Sequence, residues 1–277
     1  MEALMSTTAP AGSLRPARTT TVTLENPPGG DPVEITTTDT DRTRPFLLLH
    51  GGGGVATVSA FADLLAERTH SRVLVPTHPG FDGTRRPEHL SSVIDLARSY
   101  VALLDRLALA DVTVIGNSFG GWVAAEIALL DSPRVSGAVL VNAIGLEVEG
   151  HPLTNIATLT PAERAARSFH DPSRAPRPPA QSGAGSAAGP SPDIAALAAY
   201  TGPSMTDPTL AGRLKTLDLP VHVVWGASDG IVDVAHGRAF AEAIPLSHLT
   251  VLPAAGHLPQ LETPEELLGA LLDVGRD

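Results

Sequence analysis

The sequence predicts an α/β fold, a mostly parallel sheet with helices packed against its faces. Three observations predict it. Short runs of consecutive apolar residues recur along the chain, as strands buried on both faces require. Stretches with helical apolar spacing lie between them. The two kinds of segment alternate, which implies βα units joined by right-handed crossovers.

Residues 1–20 are rich in Ser, Thr, Pro, Ala and Gly, lack periodicity, and are expected to form a disordered tail. Thr20–Leu24 and Pro32–Thr37 are short β-prone stretches on either side of a Pro27-Pro28-Gly29-Gly30 turn. The continuous apolar runs are Phe46–Leu49, Val73–Val75, Val112–Ile115, Ala138–Val141, Val221–Trp225 and Leu249–Leu252. Helical patterns occupy Ser59–Arg68, Ser91–Leu109, Gly121–Leu130, Val234–Ala243 and Pro264–Val274. In the longest, Val93, Leu96, Ala97, Tyr100, Leu103, Leu104 and Leu107 recur at spacings of three and four. Thr263 and Glu266 suggest a capping box for the last, with Pro264 at its first position.

The alternation stops between Asn142 and Leu219. Thr160–Phe169, Ser191–Tyr200 and Pro208–Leu217 have helical character, and Asp171–Pro192 is dense in Pro, Gly, Ser and Ala. The expected organisation is a core domain of residues 21–144 and 216–277, carrying a helical insertion over 145–215 with a mobile loop at 171–192.

A chain of 277 residues is long enough to bury a core without a covalent staple. The absence of cysteine excludes disulfides, thiolate metal sites and a cysteine nucleophile. Nineteen Lys and Arg against 30 Asp and Glu give a formal net charge of −11, which disfavours nucleic acid and anionic lipid as partners. No run of about 18–20 apolar residues suggests a membrane span. The first twenty residues contain no signal-peptide core, so a cytoplasmic location is expected.

The strongest chemical signal is Gly116-Asn117-Ser118-Phe119-Gly120, a G-x-S-x-G motif between a buried strand and a helix. Such a turn holds serine in a strained conformation with its hydroxyl pushed outward, and only small flanking residues fit there. The plain alternative is a tight turn whose glycines serve packing. His50 and four glycines, 51–54, directly follow the strand Phe46–Leu49. A phosphate-cradling loop would need a following lysine or a convincing acidic partner further on. The H-G-G-G type of oxyanion hole fits better, with backbone N–H donors from Gly52 and Phe119; His50 is expected to bond within the loop. Asp229 and His257 each lie just past a strand end, in the order Ser–Asp–His that this turn demands. Asp233 is better placed to cap the next helix, Glu262 to sit at the surface or support the site, and His78 to line the pocket mouth.

Taken together, L-L-L-H-G-G-G-G (47–54), H-P-G-F-D-G-T (78–84), G-N-S-F-G-G (116–121), G-A-S-D-G-I-V (226–232) and G-H-L-P-Q-L-E (256–262) resemble the α/β-hydrolase family in order and spacing. The resemblance covers the chain from about residue 20 to its end. It implies an eight-stranded, mostly parallel sheet, a helical cap formed by the insertion, no metal and no organic cofactor. It also implies catalytic roles for Ser118, Asp229 and His257. The sequence departs from the family where Thr77-His78 stand in place of an aspartate-containing pair and Thr84 replaces a serine. Gly51, Gly53, Phe81, Trp122, Ile231 and Leu258, with Ile156 and Leu159 of the insertion, are the expected substrate-contacting residues.

The expected partner is a small molecule, with a carboxylic ester as first choice. The alternatives are carbon–carbon hydrolysis of a vinylogous diketone and cofactor-free haloperoxidase or lyase chemistry. A non-catalytic receptor on the same fold is a further alternative. Epoxide hydrolases and dehalogenases need an aspartate where Ser118 stands. Oligomeric state is not legible.

Overall fold

Eight strands form one sheet: β1 (Arg18–Leu24), β2 (Val33–Asp39), β3 (Pro45–Leu49), β4 (Arg72–Pro76), β5 (Val112–Asn117), β6 (Val135–Val141), β7 (Val221–Gly226) and β8 (Ser247–Leu252). The computed structural model describes residues 17–25, 31–39, 45–156, 159–176 and 192–273. The spatial order is β1-β2-β4-β3-β5-β6-β7-β8. β2 runs antiparallel to both β1 and β4, and every other pairing is parallel. β1 begins at Arg18, inside the stretch expected to be disordered. Its threonines explain the difference: Thr19 and Thr21 meet Thr38 and Thr36 of β2 through cross-strand hydroxyl bonds, and β-branched side chains suit a pleated surface.

The helices are α1 (Ala56–Thr69), α2 (Val93–Arg106), α3 (Phe119–Leu129), α4 (Pro161–Ser168), α5 (Pro192–Thr201), α6 (Leu210–Leu214), α7 (Val234–Ala243), α8 (Pro259–Glu262) and α9 (Pro264–Asp273). Alternate strand residues feed two apolar layers. Leu47 and Leu49 of β3 join α2, α3 and α7 on one face, while Leu48 joins α1 and α9 on the other. Each fully buried leucine contributes about 1.5–3 kcal/mol. α3 buries nearly every residue, as a helix wedged between sheet and neighbours must.

α8 was not legible as a separate helix, and the expected Thr263–Glu266 capping box is not formed. Thr263 Oγ1 is buried without a partner, and its backbone N–H, which a capping box would offer to Glu266, is already bonded to Pro259 O. The capping box occurs instead at α4, between Thr160 and Glu163.

Between β6 and β7 the chain leaves the sheet through α4, a single 3-10 turn at Pro172–Arg174, α5 and α6. Its two roots meet where Asp207 N–H donates to Gly145 O at 2.8 Å. The returning limb is tied to α3: Arg213 grips the buried Glu126 carboxylate with bonds of 2.6 and 2.7 Å, and Trp122 Nε1 donates to it at 3.1 Å. Of the loop expected at 171–192, residues 177–191 lie outside the described residues. Among the described residues, no helix is long and apolar enough to cross a membrane.

Candidate active site

Ser118 occupies the junction of β5 and α3 with φ 56 and ψ −115, a conformation rare for any residue with a side chain. The flanking glycines make this junction possible. A Cβ on Gly116 would lie 2.0 Å from Gly120 O, and one on Gly120 would lie 2.4 Å from Leu49 O. Ser118 N–H donates to Val141 O at 2.9 Å, which ties the turn to the neighbouring strand.

Asp229 follows β7, and His257 follows β8. Their side chains meet: His257 Nδ1 lies 2.7 Å from Asp229 Oδ2. A carboxylate only accepts, so Nδ1 carries the proton and the neutral ring leaves Nε2 as its acceptor. Asp229 is buried and accepts three further bonds, from the N–H groups of Ile231 and Val232 at 2.8 and 3.0 Å and from Asn142 Nδ2 at 2.6 Å. Ser118 and His257 share the wall of one cavity without a direct hydrogen bond; such bonds are commonly long before substrate arrives. Asp233 caps α7 through Ala235 N–H, as expected.

Three side chains support this pair, two of which, Asn142 and Asn117, carry no expected role from the sequence. Asn142, at the end of β6 with φ 48, fixes Asp229; its signal was a polar residue at the carboxyl edge of a buried strand. Asn117 donates to His257 O at 3.0 Å and accepts from Gln260 Nε2 at 3.1 Å, joining the serine turn to the histidine loop. Of the two places expected for Glu262, the surface and the support of the site, it takes the second and is buried. Its carboxylate accepts the N–H groups of Gly256 at 2.8 Å, His170 at 3.0 Å and Asp171 at 2.6 Å. With His257 N–H bonded to Ser168 O and Gly230 N–H to Arg167 O, the end of α4 is fastened to both the Asp229 and the His257 loops.

The cavity over Ser118 has a volume of about 120 Å³, small for a ligand site. Gly51, Gly52, Gly53, Ile231 and Leu258 line it as expected, together with Ile156. Larger grooves of about 500 and 690 Å³ lie elsewhere, and Ser118, Asp229 and His257 line neither. Two expectations are corrected. Phe81 is fully buried beneath the glycine loop, packed edge-on to His50 and His78, and does not reach the cavity. Trp122 does not line it either: its ring packs against Gly145 and its Nε1 bonds Glu126, on the side of the returning limb. His78 is also wholly buried behind the loop, not at a pocket mouth.

Burial is the main reason that His50 stays neutral: it pushes the ring's pKa from 6.5 down to about 4, and it holds His78 well below the usual value too. The unfolded chain therefore takes up a proton near pH 6.5 that the folded chain refuses until about pH 4. In that window the unfolded state binds more protons, so stability is complete above pH 6.5 and is lost as pH falls toward 4. The loss from His50 alone is about 3 kcal/mol, at ~1.4 kcal/mol per unit. Denaturant midpoints measured from pH 7 to 4 are expected to fall, with a shallower slope in His50→Asn. An identical slope in that variant would contradict a neutral buried His50.

The sheet order, the glycine-bounded serine turn and the Asp–His contact are joined by a sequence match: the model of the alpha/beta hydrolase family matches residues 46–270. The chain belongs to the alpha/beta hydrolase family. Over 245 residues this alpha/beta hydrolase is 30% identical to the dihydrolipoyllysine-residue acetyltransferase component of the acetoin cleaving system of Pseudomonas putida, an alignment covering 80% of this chain and 61% of that one. Over 120 residues it is 32% identical to the 2-hydroxy-6-oxo-2,4-heptadienoate hydrolase of Pseudomonas putida, covering 42% of this chain and 44% of that one. The matches thus span less than two thirds of these curated relatives. A crystal structure described as a probable hydrolytic enzyme of Pseudomonas aeruginosa superposes with a TM-score of 0.73 at 27% identity, covering 94% of this chain and 95% of that one. The chain thus belongs to a family named for hydrolases, and two of the three proteins compared are themselves named as hydrolytic enzymes.

Proposed function

We propose that this hydrolase cleaves small carboxylic esters through an acyl-enzyme on Ser118, with His257 as base and Asp229 as its orienter. The observation that carries the proposal is the single cavity shared by Ser118 and His257, with the histidine's far nitrogen anchored on a buried carboxylate. Nε2 of the neutral ring takes the hydroxyl proton as Oγ attacks the ester carbonyl, and Asp229 stabilises the imidazolium that forms. The N–H groups of Gly52 and Phe119 have no partner among the described residues and receive the oxyanion, each worth roughly 3–4 kcal/mol. Phe119 N–H opens α3, where the helix has no internal acceptor for it. The imidazolium then protonates the leaving alcohol, and water reverses the sequence to free the acid and Ser118.

Residues 145–215 serve in this reading as a cap. Leu153, Ile156, Ile194, Leu197 and Met205 bring apolar walls to the cavity, and its small volume favours a short acyl chain. A second reading, carbon–carbon hydrolysis of a vinylogous diketone, draws on one observation. Arg164 of α4 lines the cavity and suits a substrate carboxylate. The named heptadienoate hydrolase relative leans the same way; Leu258, where an aromatic is usual after the histidine, leans against it.

The test sets p-nitrophenyl acetate, butyrate and octanoate against a ring-fission diketone. The expected result is a kcat/KM for the short esters at least 100-fold above that for the diketone. The reverse order would replace the ester reading with the second one.

A further inference from the structure

We propose that His78, locked in place by Tyr100, is a positioning residue that aims the oxyanion-binding N–H groups of the glycine loop. The proposal rests on the acyl-transfer reading above.

The proton positions follow from which atoms can only accept. His78 Nε2 lies 2.8 Å from the His50 carbonyl oxygen, so Nε2 carries the proton. Nδ1 of the neutral ring is then an acceptor, and the Tyr100 hydroxyl donates to it at 2.5 Å. The backbone N–H of His78 donates to His50 Nε2 at 3.0 Å, so that nitrogen is bare. His50 Nδ1 therefore holds the proton and donates it to Gly51 O at 2.7 Å. Tyr100, His78, His50 and Gly51 form one chain with a single consistent set of protons, both rings neutral and both fully buried.

That chain sets the direction of the loop peptides. In a trans peptide the carbonyl and the following N–H point opposite ways, and no peptide bond among the described residues is cis. His78 holds the His50 carbonyl behind the loop, which turns the Gly51 N–H forward. The His50 ring holds the Gly51 carbonyl behind the loop, which turns the Gly52 N–H forward. Forward is the side of the serine: a Cβ on Gly51 would lie 3.0 Å from Ser118 Cβ, and Gly52 lines the cavity. The His78 ring also packs edge-on to Phe119, at 5.3 Å between centroids, so one imidazole touches the residue supplying one oxyanion donor and, through His50, steadies the loop supplying the other. Oxyanion donors act through their preorganisation, so a tilt of these peptides costs the transition state more than the bound ester.

Tyr100→Phe removes one hydroxyl from a buried ring of the same shape, His78→Leu removes the donor, and His78→Asn restores an N–H able to reach the His50 carbonyl. Kinetics are run below each variant's thermal midpoint and normalised to the fraction labelled by a fluorophosphonate. His78→Leu is expected to lose about 10²–10³ in kcat with KM little changed, the size of one lost oxyanion donor. Tyr100→Phe is expected to lose about tenfold, and His78→Asn to recover at least tenfold over leucine. Affinity for a trifluoromethyl ketone, which mimics the tetrahedral adduct, is expected to fall in step with kcat/KM. If His78→Leu does not fold, the Tyr100→Phe result decides alone. Unchanged ketone affinity beside a lower kcat, or a KM effect alone, would overturn the positioning role. A wild-type enzyme that takes no fluorophosphonate label would instead overturn the acyl-transfer reading itself, and the proposal with it.

Discussion

Ser118→Ala is expected to abolish ester hydrolysis while leaving the fold intact. The loss should reach about 10⁴–10⁶ in kcat, the range found for other serine triads. Only a hydroxyl is removed, and alanine carries the φ 56 backbone strain as serine does, so the thermal midpoint should move little. Fluorophosphonate labelling should vanish. His257→Ala should cost about as much, and the double variant little more, because nucleophile and base act as one unit. Retention of most of the esterase activity by purified Ser118→Ala would return the glycine-bounded turn to a packing role.

Asp229→Asn is expected to lower kcat by about 10⁴, although almost no volume changes. The carboxylate now accepts four bonds, from His257, Asn142, Ile231 and Val232. An amide has only one oxygen to offer. If that oxygen stays with the Ile231 and Val232 N–H groups, the new NH2 faces both Asn142 Nδ2 and His257 Nδ1. The histidine then accepts at Nδ1 and carries its proton on Nε2, the nitrogen needed to deprotonate Ser118. The facing NH2 groups should also destabilise the fold by roughly 1–3 kcal/mol. Pre-steady-state kinetics should locate the loss in acylation. A loss below tenfold would mean that Asp229 does not set the tautomer.

Both variants test residues that could be chosen from sequence, and the reason is physical. A nucleophile at a strand-to-helix turn needs small neighbours on both sides, so Gly116 and Gly120 betray Ser118. β7 is buried along its whole length and β8 is a half-exposed edge strand, yet both carry apolar runs, so Asp229 and His257 could be placed at the carboxyl edge by counting past Trp225 and Leu252. Continuous apolar runs located β3 to β8, and the 3.6-residue repeat of helix burial located the larger helices. Nothing local distinguished Phe81 and Trp122, aromatic residues near the motifs, from residues that touch the cavity.

By itself, therefore, the sequence determined the α/β class, the serine turn and the candidate acid and base, since each depends on a residue's immediate neighbours along the chain. The tertiary structure alone decided what holds them. Glu262 receives N–H groups from residues 6, 92 and 91 positions away, and Asn142 reaches Asp229 across 87. His78 reaches Tyr100 across 22 positions and the His50 carbonyl across 28. A buried polar group must find a partner, but its own sequence neighbours do not say which one. Only the packed sheet, by bringing its strand ends to one edge, makes that choice.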